Sequence, residues 1–235
     1  MDDADTLGGM GDMIRIQAVA GDTDTYLAPA RPSPGGPVLL LHPWWGLNET
    51  IRDLADRLAG DGFTVMAPDL FGGTVLTTPD EAEAFVKSIG QRNANGGAVN
   101  EDSMRGASQA ALEHLLAHPD ASGDRAAIIG LSLGAMEGTQ LAEGRSDVGA
   151  LVCFYSGIFE APTGVAYLGH FAEHDDFDDS AQVPDLEKTL NEGSAAYVYP
   201  GTKHWFIEAD RPEYDADASD LAYGRTVAFL REHLA

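Results

Sequence analysis

Ser132 stands at the centre of Gly130-Leu131-Ser132-Leu133-Gly134, after the apolar run Ala126-Ala127-Ile128-Ile129 and before Ala135-Met136-Glu137. A Gly-x-Ser-x-Gly turn between a strand and a helix is so sharp that its serine is strained, with the hydroxyl held out at the strand's carboxyl end. Glycines on both sides remove the Cβ atoms that would collide there. The helix that follows aims its first N–H groups at the same spot, where negative charge is stabilised. With 27 glycines in the chain, the pentapeptide alone is weak evidence. Strand before, helix after and partners downstream together make Ser132 the expected nucleophile.

A serine hydroxyl needs a general base within hydrogen-bond reach, and the base needs an orienting carboxylate. A nucleophile elbow of this kind belongs to the α/β-hydrolase architecture, where the order along the chain is Ser, then Asp or Glu, then His. Of the seven histidines, His42, His114 and His118 precede Ser132, and His170 and His174 precede the best acids. His233 falls in a C-terminal helical stretch. His204 remains, just beyond the strand expected at 195–200. The acid is expected after a strand ending near Phe171, in Glu173-His174-Asp175-Asp176-Phe177-Asp178-Asp179. Position favours Asp175, with Asp176 as the alternative. The same tract has the residue types of a divalent metal site but no recognised ligand spacing, so no metal is expected.

An oxyanion hole calls for two backbone N–H groups, one from Leu133 after the nucleophile and one from the loop after His42. Pro43 has no N–H, which leaves Trp44. Trp45, Tyr155 and Trp205 are candidate substrate-binding residues. His42 is read as a packed, hydrogen-bonded structural residue.

These residues must be carried by alternating strands and helices. Residues 13–19 and 24–28 suit an antiparallel hairpin turning near Gly21. Pro37–His42 is a continuous apolar run, the mark of a parallel strand buried on both faces. Asn48 can cap a helix to about Gly60, and 62–68 is the next strand. Helices are expected at 79–89, 101–118, 134–143, 180–193 and 219–235. Further strands are expected at 125–130, 148–155, 164–171 and 195–200. The tract Gly90–Gly97 reads as a mobile loop. Strand–helix alternation over the whole length predicts one doubly wound, mostly parallel α/β sheet without a large cap. An acidic flexible segment is expected at 1–12 and one domain over 13–235.

The sequence has 235 residues with 38 acidic against 14 basic side chains, a net charge of −24. Nucleic acid and anionic membranes are excluded as partners on that balance. The scarcity of lysine (Lys87, Lys188 and Lys203) suits a salt-adapted cytoplasm. No apolar run reaches membrane-spanning length, and the start lacks a signal-peptide pattern. Cys153, the only cysteine, lies in an apolar run and reads as a buried core residue.

From Pro37 onward the chain resembles the dienelactone hydrolase family. The resemblance rests on His42-Pro43-Trp44-Trp45-Gly46-Leu47-Asn48, Ile51–Ala59, Ala67-Pro68-Asp69-Leu70-Phe71, Gly130–Gly134, Gly169–Phe177 and Lys203-His204-Trp205-Phe206. It implies an α/β-hydrolase fold, and its acid segment supports Asp175. Founding members of the family carry cysteine where this chain has Ser132, and glutamate where it has Pro43. Losing both together is coherent with an ordinary serine mechanism. Those members grip a substrate carboxylate with arginines. Here Arg92 and Arg211 are neighbours in sequence only, and Glu208 disfavours an anion. The expectation is a serine hydrolase acting on a small ester or lactone through an acyl-enzyme, without a cofactor, as a monomer or small homo-oligomer. Thioester hydrolysis, acyl transfer, or a non-catalytic binding module on the same fold are the alternatives.

Overall fold

The computed structural model describes residues 11–18, 21–92, 99–156 and 161–234. Residues 1–10 of the expected N-terminal segment lie outside the described residues, as do 93–98 of the expected loop and Ala235.

Eight strands form one sheet in the order β1-β2-β4-β3-β5-β6-β7-β8. β1 (Asp12–Ile16) and β2 (Thr23–Ala28) make the antiparallel hairpin, and β2 pairs antiparallel with β4 (Phe63–Pro68). From β4 the sheet is parallel through β3 (Gly36–Leu41), β5 (Ala126–Leu131), β6 (Val148–Phe154), β7 (Ala166–His174) and β8 (Ala195–Lys203). The mostly parallel α/β fold expected from the apolar runs is borne out.

Successive side chains of a strand leave opposite faces, and both faces are covered. Val38, Leu40, Ile129 and Val152 share one core with Ile51, Ala55 and Leu58 of α1 (Glu49–Gly60) and with Ala222, Val227 and Leu230 of α6 (Ala216–His233). Leu39, Leu41, Ile128 and Leu151 share the other core with Met104, Ala111 and Leu115 of α3 (Glu101–Leu116) and Ala135 and Leu141 of α4 (Leu133–Ala142). α2 (Pro79–Arg92) adds Ala82 to the first core and Ile89 to the second. Asn48 caps α1 by accepting the Ile51 N–H at 3.1 Å. Cys153 is fully buried, and burial pushes its thiol up to about 12, as expected of an inert core cysteine.

Two expectations are corrected. The helix expected at 180–193 is a single 3₁₀ turn, Ser180–Gln182, followed by α5 (Val183–Glu187). Asn191, Gly193 and Ser194 are turn formers that end helical structure early. The last strand does not stop at Tyr199; β8 runs to Lys203. Gly201 carries it through a φ of +76°, with its N–H donating to Glu173 at 2.8 Å. A Pro-Gly pair that reads as a turn thus sits inside a strand irregularity.

Gly134 and Gly224 make opposite demands. A Cβ on Gly134 would strike the backbone carbonyls of Leu41 and His42, so α4 is pressed directly onto the end of β3. Gly224 is exposed in α6, with nothing in reach of an added Cβ. Gly224→Ala is predicted to stabilise the protein by about 0.5–1 kcal/mol, and Gly134→Ala to destabilise it by about 1–3 kcal/mol. Urea denaturation of both variants checks the pair; a stabilising Gly134→Ala would contradict the close approach.

Candidate active site

Ser132 joins β5 to α4 with φ +51° and ψ −113°, outside the regions an L-residue ordinarily occupies. The turn is possible because Gly130 has no Cβ to meet the Gly134 carbonyl and the Ala135 backbone. Its N–H donates to the Phe154 carbonyl at 3.0 Å, anchoring the turn on β6. Such local strain costs on the order of 1–3 kcal/mol and is held by the surrounding structure.

His204 follows directly on β8. Its Nε2 lies 2.9 Å from Ser132 Oγ, and its Nδ1 lies 2.8 and 2.9 Å from the two carboxylate oxygens of Asp175. Nδ1–H therefore donates to Asp175, and Nε2 is free to accept the serine proton. Asp175 sits in the turn after β7, where its Oδ1 also accepts the N–H groups of Phe177 and Asp178 at 2.9 and 3.2 Å. These bonds fix the carboxylate before the imidazole reaches it. Asp176, the alternative in sequence, points outward and is exposed. The metal-type side chains of this tract do not converge: His170 bonds Tyr199 and Thr226 in the core, while His174 pairs with Glu173 at the surface.

Leu133 is the first residue of α4, so its N–H has no helical carbonyl to bond. Trp44 lies in the loop after β3, which the Gly134 contact presses against the start of α4. That loop is tied down elsewhere. The Leu76 N–H donates to the Trp45 carbonyl at 2.9 Å. The Leu70 N–H donates to His42 Nε2 at 3.0 Å, while His42 Nδ1–H donates to the Pro43 carbonyl at 2.7 Å. His42 is fully buried, and burial lowers its pKa, so it is a neutral tether.

The expected substrate-binding residues separate. Trp45 is 1% exposed, beneath Trp44 and Trp205, with the Arg211 guanidinium 4.2 Å from its ring centroid. Tyr155 is fully buried, its ring 4.8 Å from the imidazole of His204. Both are closed off from solvent, Trp45 under the Trp44 and Trp205 rings and Tyr155 against the imidazole. An apolar run ending in an aromatic residue does not reveal which side of the imidazole that ring occupies. Trp205 is nearly buried and stacks on Trp44, which is the half-exposed member of the group. Phe177, passed over in the sequence, is 56% exposed with its ring 4.7 Å from His204 and 5.4 Å from Trp44. Its only sequence signal is its place two residues after Asp175. Among the described residues, the three non-glycine positive φ values fall on Ser132, Tyr155 and Trp205. Strain collects where the hydroxyl and imidazole must be held.

Glu208 is fully buried four residues after His204. Its Oε1 accepts the Tyr155 hydroxyl at 2.6 Å, while Oε2 has no hydrogen-bond partner. Burial raises its pKa to about 8. Between the ordinary carboxyl value and 8 the folded protein keeps a proton that the unfolded chain has lost, so stability falls as pH rises through this window. Glu208→Gln removes that titration. The melting temperature of the variant relative to the parent is predicted to climb from pH 5 to pH 8 and then level. A difference that stays flat over that range would contradict a buried, protonated Glu208.

The dienelactone hydrolase family profile matches residues 23–234. A protein of Azospirillum brasilense named "Putative carboxymethylenebutenolidase" is 29% identical over 94% of this chain and 100% of its own. Among solved structures, a dienelactone hydrolase-like promiscuous phosphotriesterase from metagenomic libraries superposes with TM-score 0.76 at 20% identity, covering 97% of this chain and 100% of that one. An α/β serine hydrolase without lid from Xanthomonas campestris gives TM-score 0.62 at 16% identity over 97% of both chains. The match over almost the whole sheet, on the fold just described, places the chain in the dienelactone hydrolase family, as a hydrolase acting on ester or lactone bonds.

Proposed function

We propose that the protein hydrolyses neutral carboxylic esters or lactones by a two-step serine mechanism. Ser132 Oγ attacks the carbonyl carbon as His204 Nε2 takes its proton, and Asp175 steadies the imidazolium through Nδ1–H. The N–H groups of Leu133 and Trp44 receive the oxyanion; losing one such donor typically costs on the order of 10²–10³ in rate. The carbon–oxygen bond of the ester breaks, and His204 returns the proton to the leaving alkoxide. In a lactone that alkoxide stays attached to the acyl group. Water, deprotonated by His204, then attacks the acyl-enzyme and frees the acid and Ser132. The observation that carries this reading is the continuous line of hydrogen bonds from Ser132 Oγ through His204 to Asp175.

The preference for a neutral substrate rests on the state of the nearby arginines. Arg211 is engaged by Asp210, the Thr77 carbonyl and the Trp45 ring. Arg105 is held by Glu137 in a two-pronged pair and by Gln140. The terminal nitrogens of Arg211 are thus taken, its buried Nε being unpartnered, and Arg105 is held on both prongs, which supports a neutral substrate over a carboxylate. We further read the chain as one domain from residue 13 that works in a salt-rich cytoplasm as a monomer or small homo-oligomer. The net charge of −24 supports the salt reading. No described helix is long and apolar enough to cross a membrane.

A fluorophosphonate is predicted to label Ser132, and Ser132→Ala to lose p-nitrophenyl butyrate hydrolysis by at least about 10³-fold. The kcat/KM for that ester is predicted to exceed the value for a carboxylate-bearing dienelactone, and activity to peak in molar KCl. Undiminished hydrolysis by Ser132→Ala would refute the mechanism. A preference for the dienelactone would refute the neutral-substrate reading, and a low-salt optimum the salt reading.

A further inference from the structure

Among the described residues, three aromatic rings meet the imidazole of His204: Tyr155 at 4.8 Å, Phe177 at 4.7 Å and Trp205 at 5.0 Å between centroids. Two of them are closed off, since Tyr155 has no exposed surface and Trp205 is 8% exposed. Phe177 is the third, and more than half of it is in solvent. Its side of the imidazole is therefore the open one. The Phe177 ring also meets Trp44 edge-on at 5.4 Å and Trp205 at 5.5 Å, while Trp44 stacks on Trp205 at 5.6 Å. The backbone beneath it is pinned, because the Phe177 N–H donates to Asp175 Oδ1 at 2.9 Å. A lone exposed ring needs no explanation, but one laid between a half-exposed indole and a triad imidazole has contact area to give.

The chemistry of acyl transfer says which part of a substrate comes to that side. In the serine mechanism proposed above, on which this inference rests, the bond between carbonyl carbon and alcohol oxygen breaks with its electron pair going to oxygen. That oxygen takes the proton from His204 Nε2, so it must come within hydrogen-bond reach of it, roughly 3 Å. The substituent on the oxygen then begins one bond further out, beside the imidazole. Tyr155 and Trp205 are buried there, which leaves Phe177 and Trp44 to receive it. Phe177 stands between Asp176 and Asp178 in an acidic tract, which disfavours an anionic substituent. A ring brought against rings gains from edge-to-face or offset contact beyond the area it buries, by about two- to tenfold per pair.

We propose that Phe177 and Trp44 form the leaving-group site, and that Phe177 is the residue that selects esters of uncharged aromatic alcohols such as benzyl alcohol. The ring of the alcohol packs on these two side chains while its oxygen receives the proton from Nε2. The contact is held through the transition state and is read in kcat/KM.

The test compares benzyl acetate with cyclohexylmethyl acetate, which share an acyl group and nearly a shape. The cyclohexylmethyl group is the more apolar, so burial alone would favour it, whereas a ring-binding wall favours benzyl. With each kcat/KM divided by the ester's rate constant for hydroxide hydrolysis, the full chain is expected to prefer benzyl acetate by at least about threefold. Phe177→Leu should bring that ratio to one or below, and Phe177→Tyr should keep it. Turnover of both esters with a ratio at or below one, or a ratio unchanged in Phe177→Leu, would overturn the site and leave the serine mechanism standing. A second measurement needs no turnover. The three tryptophans of the chain, Trp44, Trp45 and Trp205, are mutual neighbours in this cluster, so indole fluorescence reports on it. In Ser132→Ala, benzyl alcohol is expected to quench that emission saturably at millimolar concentration and to bind at least about threefold more tightly than cyclohexylmethanol. Adding Phe177→Leu should remove the preference. No saturable quenching, equal binding of the two alcohols, or a benzyl preference that survives Phe177→Leu would each overturn the site. Preferential benzyl alcohol binding in a protein that hydrolyses neither ester would uphold the aryl site and contradict the serine mechanism alone.

Discussion

The close approach of the α4 backbone to the end of β3 is the contact on which the rest of the site depends. It exists because Gly134 has no side chain to hold Leu41 and His42 away. Bringing α4 that close forces the chain between β5 and α4 through the strained Ser132 conformation. The same contact holds the end of β3, from which the loop carrying Trp44 leaves, against the start of α4. One steric fact thus fixes the direction of the hydroxyl.

The imidazole is held by a different means. His204 meets Tyr155, Phe177 and Trp205 at ring distances of 4.7–5.0 Å. Asp175 fixes its Nδ1 edge, and the aromatic rings limit its rotation. The ring is 4% exposed in a protein whose net charge is −24. The acidic surface and the apolar, aromatic interior of the site are therefore separate features. Glu208 is the exception, a carboxyl placed in the core behind Tyr155, and its raised pKa reflects the cost of charge at that depth.

The sheet was legible in the sequence because its central strands are buried on both faces and appear as unbroken apolar runs. The serine turn was legible because its glycines are required by backbone contact rather than by loop flexibility. The choice between Asp175 and Asp176 was not legible from local pattern alone. Adjacent residues in a turn point in different directions, and the direction here is set by the N–H groups of Phe177 and Asp178. The burial of Trp45 and Tyr155 was not legible for a related reason: residue type does not say which side of a neighbouring ring faces solvent. The helix expected at 180–193 failed because a favourable composition of Leu, Glu and Lys was outweighed by Asn191, Gly193 and Ser194 after Pro184.

The central claim is that Ser132 and His204 act as one unit. Its most direct test compares the kcat for p-nitrophenyl butyrate of Ser132→Ala, His204→Ala and the double variant. Residues that operate together lose nearly everything at the first substitution. The account predicts that the double variant is no slower, within a few-fold, than either single variant. Losses that multiply, so that the double variant falls by the product of the two single effects, would contradict it.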